Sequence, residues 1–206
     1  MGNGDGTLQG QKMYGVEGSP TSLAAGDFNG DGKLDLVTAN RYGNSISVLL
    51  GNGDGTFQPA VSYAAGDVPE SVAVGDLNGD GKLHVVVADN ISGRISVLIG
   101  IGDGTFQPAV GYWVNPAPAS IAIADLNGDG IPDLAVLAAG ETVAILVGQG
   151  DGTFQYQPTN FIAGSDPGFT ESLVVGDFNG DGRPDVAVAL GYVAQLGVLL
   201  NHTRIK

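Results

Sequence analysis

Asp27, Asn29, Asp31 and Asp35 place four side-chain oxygens at positions 1, 3, 5 and 9 of a short glycine-rich stretch, G-D-F-N-G-D-G-K-L-D at residues 26–35. Such a set is a cage for a hard cation. Calcium takes six to eight oxygens at flexible geometry, and a backbone carbonyl at position 7 would add one more. The stretch returns at residues 75–84, 124–133 and 176–185. Asp/Asn/Gly turns also form without metal, because Asx side chains bond their own backbone. Four nearly identical copies favour an ion, since carboxylates gathered in one turn repel each other without a counter-charge.

The elements that hold these turns must repeat with them. The leading aspartates, Asp27, Asp76, Asp125 and Asp177, recur at a period close to fifty residues, which marks a repeat architecture. A second motif alternates with the first: G-N-G-D-G-T-L at 2–8, G-N-G-D-G-T-F at 51–57, G-I-G-D-G-T-F at 100–106 and G-Q-G-D-G-T-F at 148–154. Its aspartates Asp5, Asp54, Asp103 and Asp151 each offer one carboxylate, and a hairpin turn explains them. In the unit 71–119, Ser71–Gly75, Val85–Ala88, Ile95–Ile99 and Phe106–Trp113 read as four short strands separated by glycine and asparagine turns. No helical-length window keeps a 3.6-residue apolar period. The chain reads as all-β: a β-propeller of four four-stranded blades, with units at about 22–70, 71–119, 120–171 and 172–206 plus 2–21. The last unit has three strands, so the N-terminal strand is expected to complete it and close the ring. The alternative is an exchange of end strands between two chains, giving eight blades.

Composition bounds the function. The 206 residues carry 22 acidic and 8 basic side chains, a formal charge of −14. That argues against nucleic acid and anionic membrane as partners, both of which need a basic surface. An apolar content of 43% suffices for a core. There is no cysteine, so metal rather than disulfides is left to brace the fold. No basic–apolar signal segment opens the chain, and no apolar run approaches the roughly 18 residues of a membrane span.

D-x-N-x-D-G-x-x-D followed by an apolar strand, alternating with G-N-G-D-G-T-F, resembles the FG-GAP/VCBS repeat family, and its first half is similar to the calcium loops of integrin α-subunit propellers. The resemblance covers nearly the whole chain. It implies one Ca2+ per loop, held at positions 1, 3, 5, 7 and 9, the seventh through its carbonyl. The sites implied are Asp27, Asn29, Asp31, Lys33 and Asp35; Asp76, Asn78, Asp80 and Lys82; Asp125, Asn127, Asp129, Ile131 and Asp133; and Asp177, Asn179, Asp181, Arg183 and Asp185. In the second loop His84 replaces the last aspartate. Imidazole is a poor calcium ligand, so three strong sites and one weaker site are expected. The Gly-Ala-Pro element of the family name is absent, which brings the match closer to the VCBS-type variant. An EF-hand loop also begins D-x-N-x-D-G, but it needs a glutamate at position 12, where this chain has Thr38, Val87, Val136 and Val188.

Loops on the face opposite the calcium turns carry further candidates, Arg41, Tyr42, Asn44, Glu70, Asn90, Arg94, Glu141, Glu171 and Tyr192. Arg41, Tyr42, Tyr192 and the single tryptophan, Trp113, are the residues nominated for ligand binding. The histidines are His84, inside a turn, and His202 in the tail, and no nucleophile–base arrangement stands out. The expectation is therefore a non-catalytic calcium-binding module for carbohydrate or protein, extracellular or at a cell surface, monomeric or strand-exchanged. A structural unit of a larger surface protein and a sugar-active enzyme are the alternatives.

Overall fold

The computed structural model describes the chain except residues 1–4, 9, 115, 141, 156–158, 163–169, 191–194 and 203–206; the side chains of 170 and 171 are likewise not described. Among the described residues fifteen strands form four antiparallel sheets. The first sheet is β1 (Pro20–Gly26), β2 (Asp35–Asn40), β3 (Ser45–Leu49) and β4 (Val61–Ala64). The second is β5 (Pro69–Gly75), β6 (His84–Asp89), β7 (Arg94–Leu98) and β8 (Val110–Trp113). The third is β9 (Ser120–Ala124), β10 (Asp133–Ala138), β11 (Thr142–Leu146) and β12 (Thr159–Ile162). The fourth is β13 (Thr170–Gly176), β14 (Asp185–Leu190) and β15 (Gln195–Leu199). Strands pair in sequence order within each sheet, as in a meander.

The first strands, β1, β5, β9 and β13, pack side by side, so the sheets stand around one arc with those strands innermost. Branched and small side chains suit the crowding there: Val72, Ile121 and Leu173 are buried between neighbouring sheets. Three apolar clusters fill the three gaps. Phe106 reaches from the second sheet to Phe28 and Tyr63 of the first, and Phe154 from the third to Tyr112 of the second. These phenylalanines pack between neighbouring sheets. The strand expected over Phe106–Trp113 is shorter, spanning Val110–Trp113. Phe106 itself makes only an isolated bridge to Gly100, which leaves its ring free to turn into the gap.

The expected closure is not seen among the described residues: the fourth sheet has three strands there, and the N-terminal segment packs on the first sheet. The Tyr14 ring meets Phe57 edge-on at 5.4 Å, Glu17 N–H donates to Ser47 Oγ, and Ser45 Oγ donates to the Glu17 carboxylate. No packing comparable to that between adjacent inner strands joins β1 to β13. Among the described residues nothing closes the ring at that point, and Leu23 of the first sheet and Val174 of the fourth are exposed.

Candidate metal centre

Each oxygen-rich stretch is the turn between the first and second strands of its sheet. Antiparallel pairing of Gly26 with Asp35 closes the turn at its base, and Gly176 with Asp185 does the same in the last copy. Within the turn the chain must bend twice. Gly30 and Gly32 adopt φ of +73° and +77°, a region where an L side chain would be strained. The bends point backbone N–H groups inward at the leading aspartate. Gly30 N–H donates to Asp27 Oδ1 at 2.8 Å and Gly32 N–H to Oδ2 at 2.8 Å. Asn29 Oδ1 accepts from Asp31 N–H and Asp31 Oδ1 from the N–H of residue 33. The third and fourth turns repeat this around Asp125 and Asp177. The first three oxygen-bearing side chains of these turns are thus locked in rotamer and direction, while each carboxylate keeps lone pairs beyond those its backbone bonds use.

Position 9 has a role that spacing does not disclose. Asp35, Asp133 and Asp185 are fully buried. Asp35 Oδ2 accepts from Phe28 N–H at 2.9 Å, and Oδ1 from Gly51 N–H at 2.7 Å. Asp133 joins Leu126 to Gly148, and Asp185 joins Phe178 to Asn201, in the same way. Asp35 and Asp133 therefore tie their own turns to the start of the following G-D-G-T hairpin, and Asp185 ties its turn to the residue two beyond β15. The recurrence of glycine at 51, 100 and 148 was the available signal: a Cβ on Gly51 would lie 2.2 Å from Leu34 O.

His84 makes only half of this latch. Its Nδ1 accepts from Gly100 N–H at 3.2 Å, and an imidazole has no second acceptor to spare while that bond stands. The ring hydrogen then resides on Nε2, which is buried without a hydrogen-bond partner. A ring nitrogen of His84 and carboxylate oxygens of Asp76 and Asp80 lie within 4.8 Å of one another. Among the described residues this is the group of acidic and histidine side chains gathered closely enough to hold an ion, with an imidazole where the other turns have a carboxylate.

Charge also distinguishes the four turns. Lys33 Nζ lies 3.0 Å from Asp31 Oδ2, Lys82 Nζ 3.6 Å from Asp80, and an Arg183 Nη 2.5 Å from Asp181. These partners hold the position 5 carboxyls below the usual range: the Lys33 side chain for Asp31, the Lys82 backbone N–H for Asp80, the Arg183 side chain for Asp181. Burial works to raise Asp76, but the N–H groups of Gly81, Asn78, Gly79 and Asp80 outweigh it and keep its pKa low. The third turn has Ile131 where the others have a cation. There burial pushes Asp133 up, against the N–H groups of Gly148 and Leu126, and the charges of Asp129 and Asp125 push it further.

The G-D-G-T aspartates are turn formers. Asp54 Oδ1 accepts from both the N–H and the hydroxyl of Thr56, and Asp5, Asp103 and Asp151 treat Thr7, Thr105 and Thr153 alike. On the opposite face, Arg41 pairs with Glu70 and lies 5.9 Å from the centre of the exposed Tyr42 ring. Trp113 stands apart from them, half-exposed on the outer strand of the second sheet and paired with Arg94. Tyr192 and Glu141 fall outside the described residues, as does the Glu171 side chain. Asn44 and Asn90 act within the scaffold: Asn44 Oδ1 accepts from Val68 N–H, and Asn90 Nδ2 reaches Pro118 O.

A family model for an FG-GAP-like repeat matches residues 1–38, 27–87, 76–136 and 125–188. The chain belongs to the FG-GAP-like repeat family. Three of the matches begin on the leading aspartates Asp27, Asp76 and Asp125, and all four end within the strand that follows an oxygen-rich turn, so each FG-GAP-like match takes in at least one complete turn. No curated protein matches the sequence. Among solved structures, an Agrocybe aegerita lectin that recognises non-reducing terminal N-acetylglucosamine is similar at 24% identity and a TM-score of 0.54, over 88% of this chain and 52% of the lectin. BBS1N in complex with ARL6DN is similar at 14% identity and a TM-score of 0.62, over 92% and 59%. A protein from Lactobacillus plantarum follows at 15% and 0.53, over 94% and 58%. These likenesses support a β-propeller-like all-β fold, and this FG-GAP-like chain spans about half the length of the first and somewhat more of the other two. The strands flanking each turn and the missing glutamate exclude an EF-hand.

Proposed function

We propose that this protein is a calcium-stabilised, non-catalytic binding module that presents carbohydrate- or protein-binding loops at a cell surface or outside the cell. The observation that carries the metal reading is the recurrence, in three of the turns, of aspartate and asparagine oxygens held by backbone N–H groups, with a fully buried aspartate at position 9; in the second turn carboxylate oxygens of Asp76 and Asp80 gather with a His84 ring nitrogen within 4.8 Å. Asp27, Asn29, Asp31, Asp35 and the Lys33 carbonyl would hold one ion. Asp125, Asn127, Asp129, Asp133 and the Ile131 carbonyl would hold the second; Asp177, Asn179, Asp181, Asp185 and the Arg183 carbonyl the third. The third turn is the tightest site in this reading, because no cation must be displaced from it. Bound Ca2+ acts as a structural tie, stabilising the folded state by mass action.

The resemblance of the fold to a lectin supports carbohydrate as one ligand class, and the exposed Arg41–Tyr42 pair offers a cation and an aromatic face for it. Two measurements test the reading. Melting in chelator and in millimolar Ca2+ should differ clearly, and identical curves would reject the metal role. A glycan array that includes terminal N-acetylglucosamine should show calcium-dependent binding. Silence on the array, together with failure to retain any protein ligand, would leave only the scaffold role.

A further inference from the structure

The two ends of the arc are complementary, and the repeat fixes the register in which they would meet. Leu23 of β1 is 68% exposed, whereas Val72, Ile121 and Leu173, at the same place in the other sheets, are each buried by the sheet before. Val174 of β13 is 56% exposed, whereas Ala24, Ala73 and Ala122, at its place, pack against the sheet that follows. The first sheet thus lacks a predecessor and the fourth a successor.

The N-terminal segment already sits as the outer strand of that predecessor would. Tyr14 meets Phe57 as Tyr63 meets Phe106 and Tyr112 meets Phe154. Ser19 has φ of +51° and its carbonyl accepts from Arg41 N–H; Val68, between the first and second sheets, has +59° and accepts from Asn90 N–H. Among the described residues Tyr14 has no third strand beside it, and β15 has no fourth. At β15 the gap between the third and fourth sheets opens into an apolar groove of about 660 Å³ lined by Phe161, Val143, Val186, Val198 and Leu200. Phe161 holds the place of Tyr63 and Tyr112, but among the described residues no aromatic ring packs on it as Phe106 and Phe154 do on those tyrosines. In the N-terminal hairpin that ring position is Leu8, which is 81% exposed. Leu196, the β15 residue that would face Tyr14, is 75% exposed.

We propose that the N-terminal segment around Met13 and Tyr14 of a second copy of this chain adds to β15 as the fourth strand of the fourth sheet, reciprocally, so that two chains form one ring of eight sheets. Met13 then stands opposite Gly197 and Tyr14 opposite Leu196, the register of Ser62 with Ser47 and Tyr63 with Ile46. Leu8 enters the groove beside Phe161. The chain's own segment is held on the first sheet, at the far end of the arc from β15, so a partner's segment is the one that reaches it. A head-to-tail contact of this kind closes when its rotation completes a circle.

Ser47 and Ser62 hydroxyls lie 3.2 Å apart, so cysteines at the matching pair would be within reach of a disulfide, and the chain has no other cysteine. The test mixes Met13→Cys and Gly197→Cys chains in Ca2+ under mild oxidation, alongside sedimentation of the unmodified 206-residue protein. The expected result is one disulfide joining a chain of each kind, and a mass about twice 20.8 kDa. Leu8→Asp should weaken association at least tenfold while the monomer keeps its far-ultraviolet spectrum. A monomeric mass, with or without a disulfide within a doubly substituted chain, would overturn the proposal. So would a ladder of longer oligomers, or a Leu8→Asp protein that still sediments as two chains.

Discussion

Gly51 N–H donates to Asp35 Oδ1 at 2.7 Å, across sixteen residues of sequence. This bond makes the last aspartate of the turn a structural latch as well as a candidate ligand. The two roles separate experimentally. In Asp133→Asn one acceptor becomes an amide N–H facing the N–H of Gly148 or Leu126 in a buried site. A loss of about 1–3 kcal/mol is expected from the unsatisfied group. The loss should persist in chelator by urea denaturation, whereas a purely metal-binding residue would show none there.

His84→Asp restores the second half of the latch, since a carboxylate can accept from Gly100 N–H and keep an oxygen for the turn. It also exchanges an N–H for a negative charge beside Asp76 and Asp80. Calorimetric titration should count one more Ca2+ per chain in the variant than in the parent. An unchanged count would mean that the turn is closed to calcium for a reason other than its ninth residue.

Ile131 leaves the third turn without the cation that Lys33, Lys82 and Arg183 give the others. Ile131→Lys should place an ammonium beside Asp129 and lower calcium affinity at that site. An exposed pair of this kind contributes up to about 1 kcal/mol, or roughly a fivefold change in dissociation constant. Equal affinity by titration of the variant would show that the lysines do not compete with calcium.

Asp89 carries a pH dependence. It is 1% exposed, accepts from Ser96 Oγ and Gly66 N–H, and burial raises its pKa to about 7. A Cβ on Gly66 would come within 2.3 Å of its Oδ2, so the site cannot relax toward water. The folded state holds this proton more tightly than the unfolded chain does. The contribution of Asp89 to stability is therefore greatest below the unfolded value of 3.8, falls as pH rises toward about 7, and is level above that. The first sheet has Asn40 at the same place, fully buried. Asp89→Asn should stabilise the protein by a few kcal/mol at pH 8 and by little near pH 4, measured by urea denaturation at both. A difference independent of pH would place the titration elsewhere.

Phe154 is almost wholly buried against Tyr112. Phe154→Ala should cost about 3–5 kcal/mol, as large cavities in a packed interface do. Phe57→Ala, at a position only partly covered by Tyr14, should cost distinctly less in the isolated monomer. Equal losses in thermal unfolding would mean that the end sheet packs as tightly as the inner ones.

The sequence by itself determined the local chemistry. Alternating turn motifs at a fixed period gave four units, short β-branched runs gave the strands, and Asp–x–Asn–x–Asp–Gly gave turns whose N–H groups fold back on their own oxygens. All of these act within about ten residues, and the residues that make them are adjacent in the chain. The tertiary structure decided what depends on distant partners. It buried Asp89 under a glycine twenty-three residues away and spent His84 Nδ1 on Gly100. It laid the N-terminal segment on the first sheet and left Leu23 and Val174 uncovered at the two ends of the arc. Identical repeats cannot encode such differences, because the same side chain is core between two sheets and surface at the last one, and only the angle between sheets sets which it becomes.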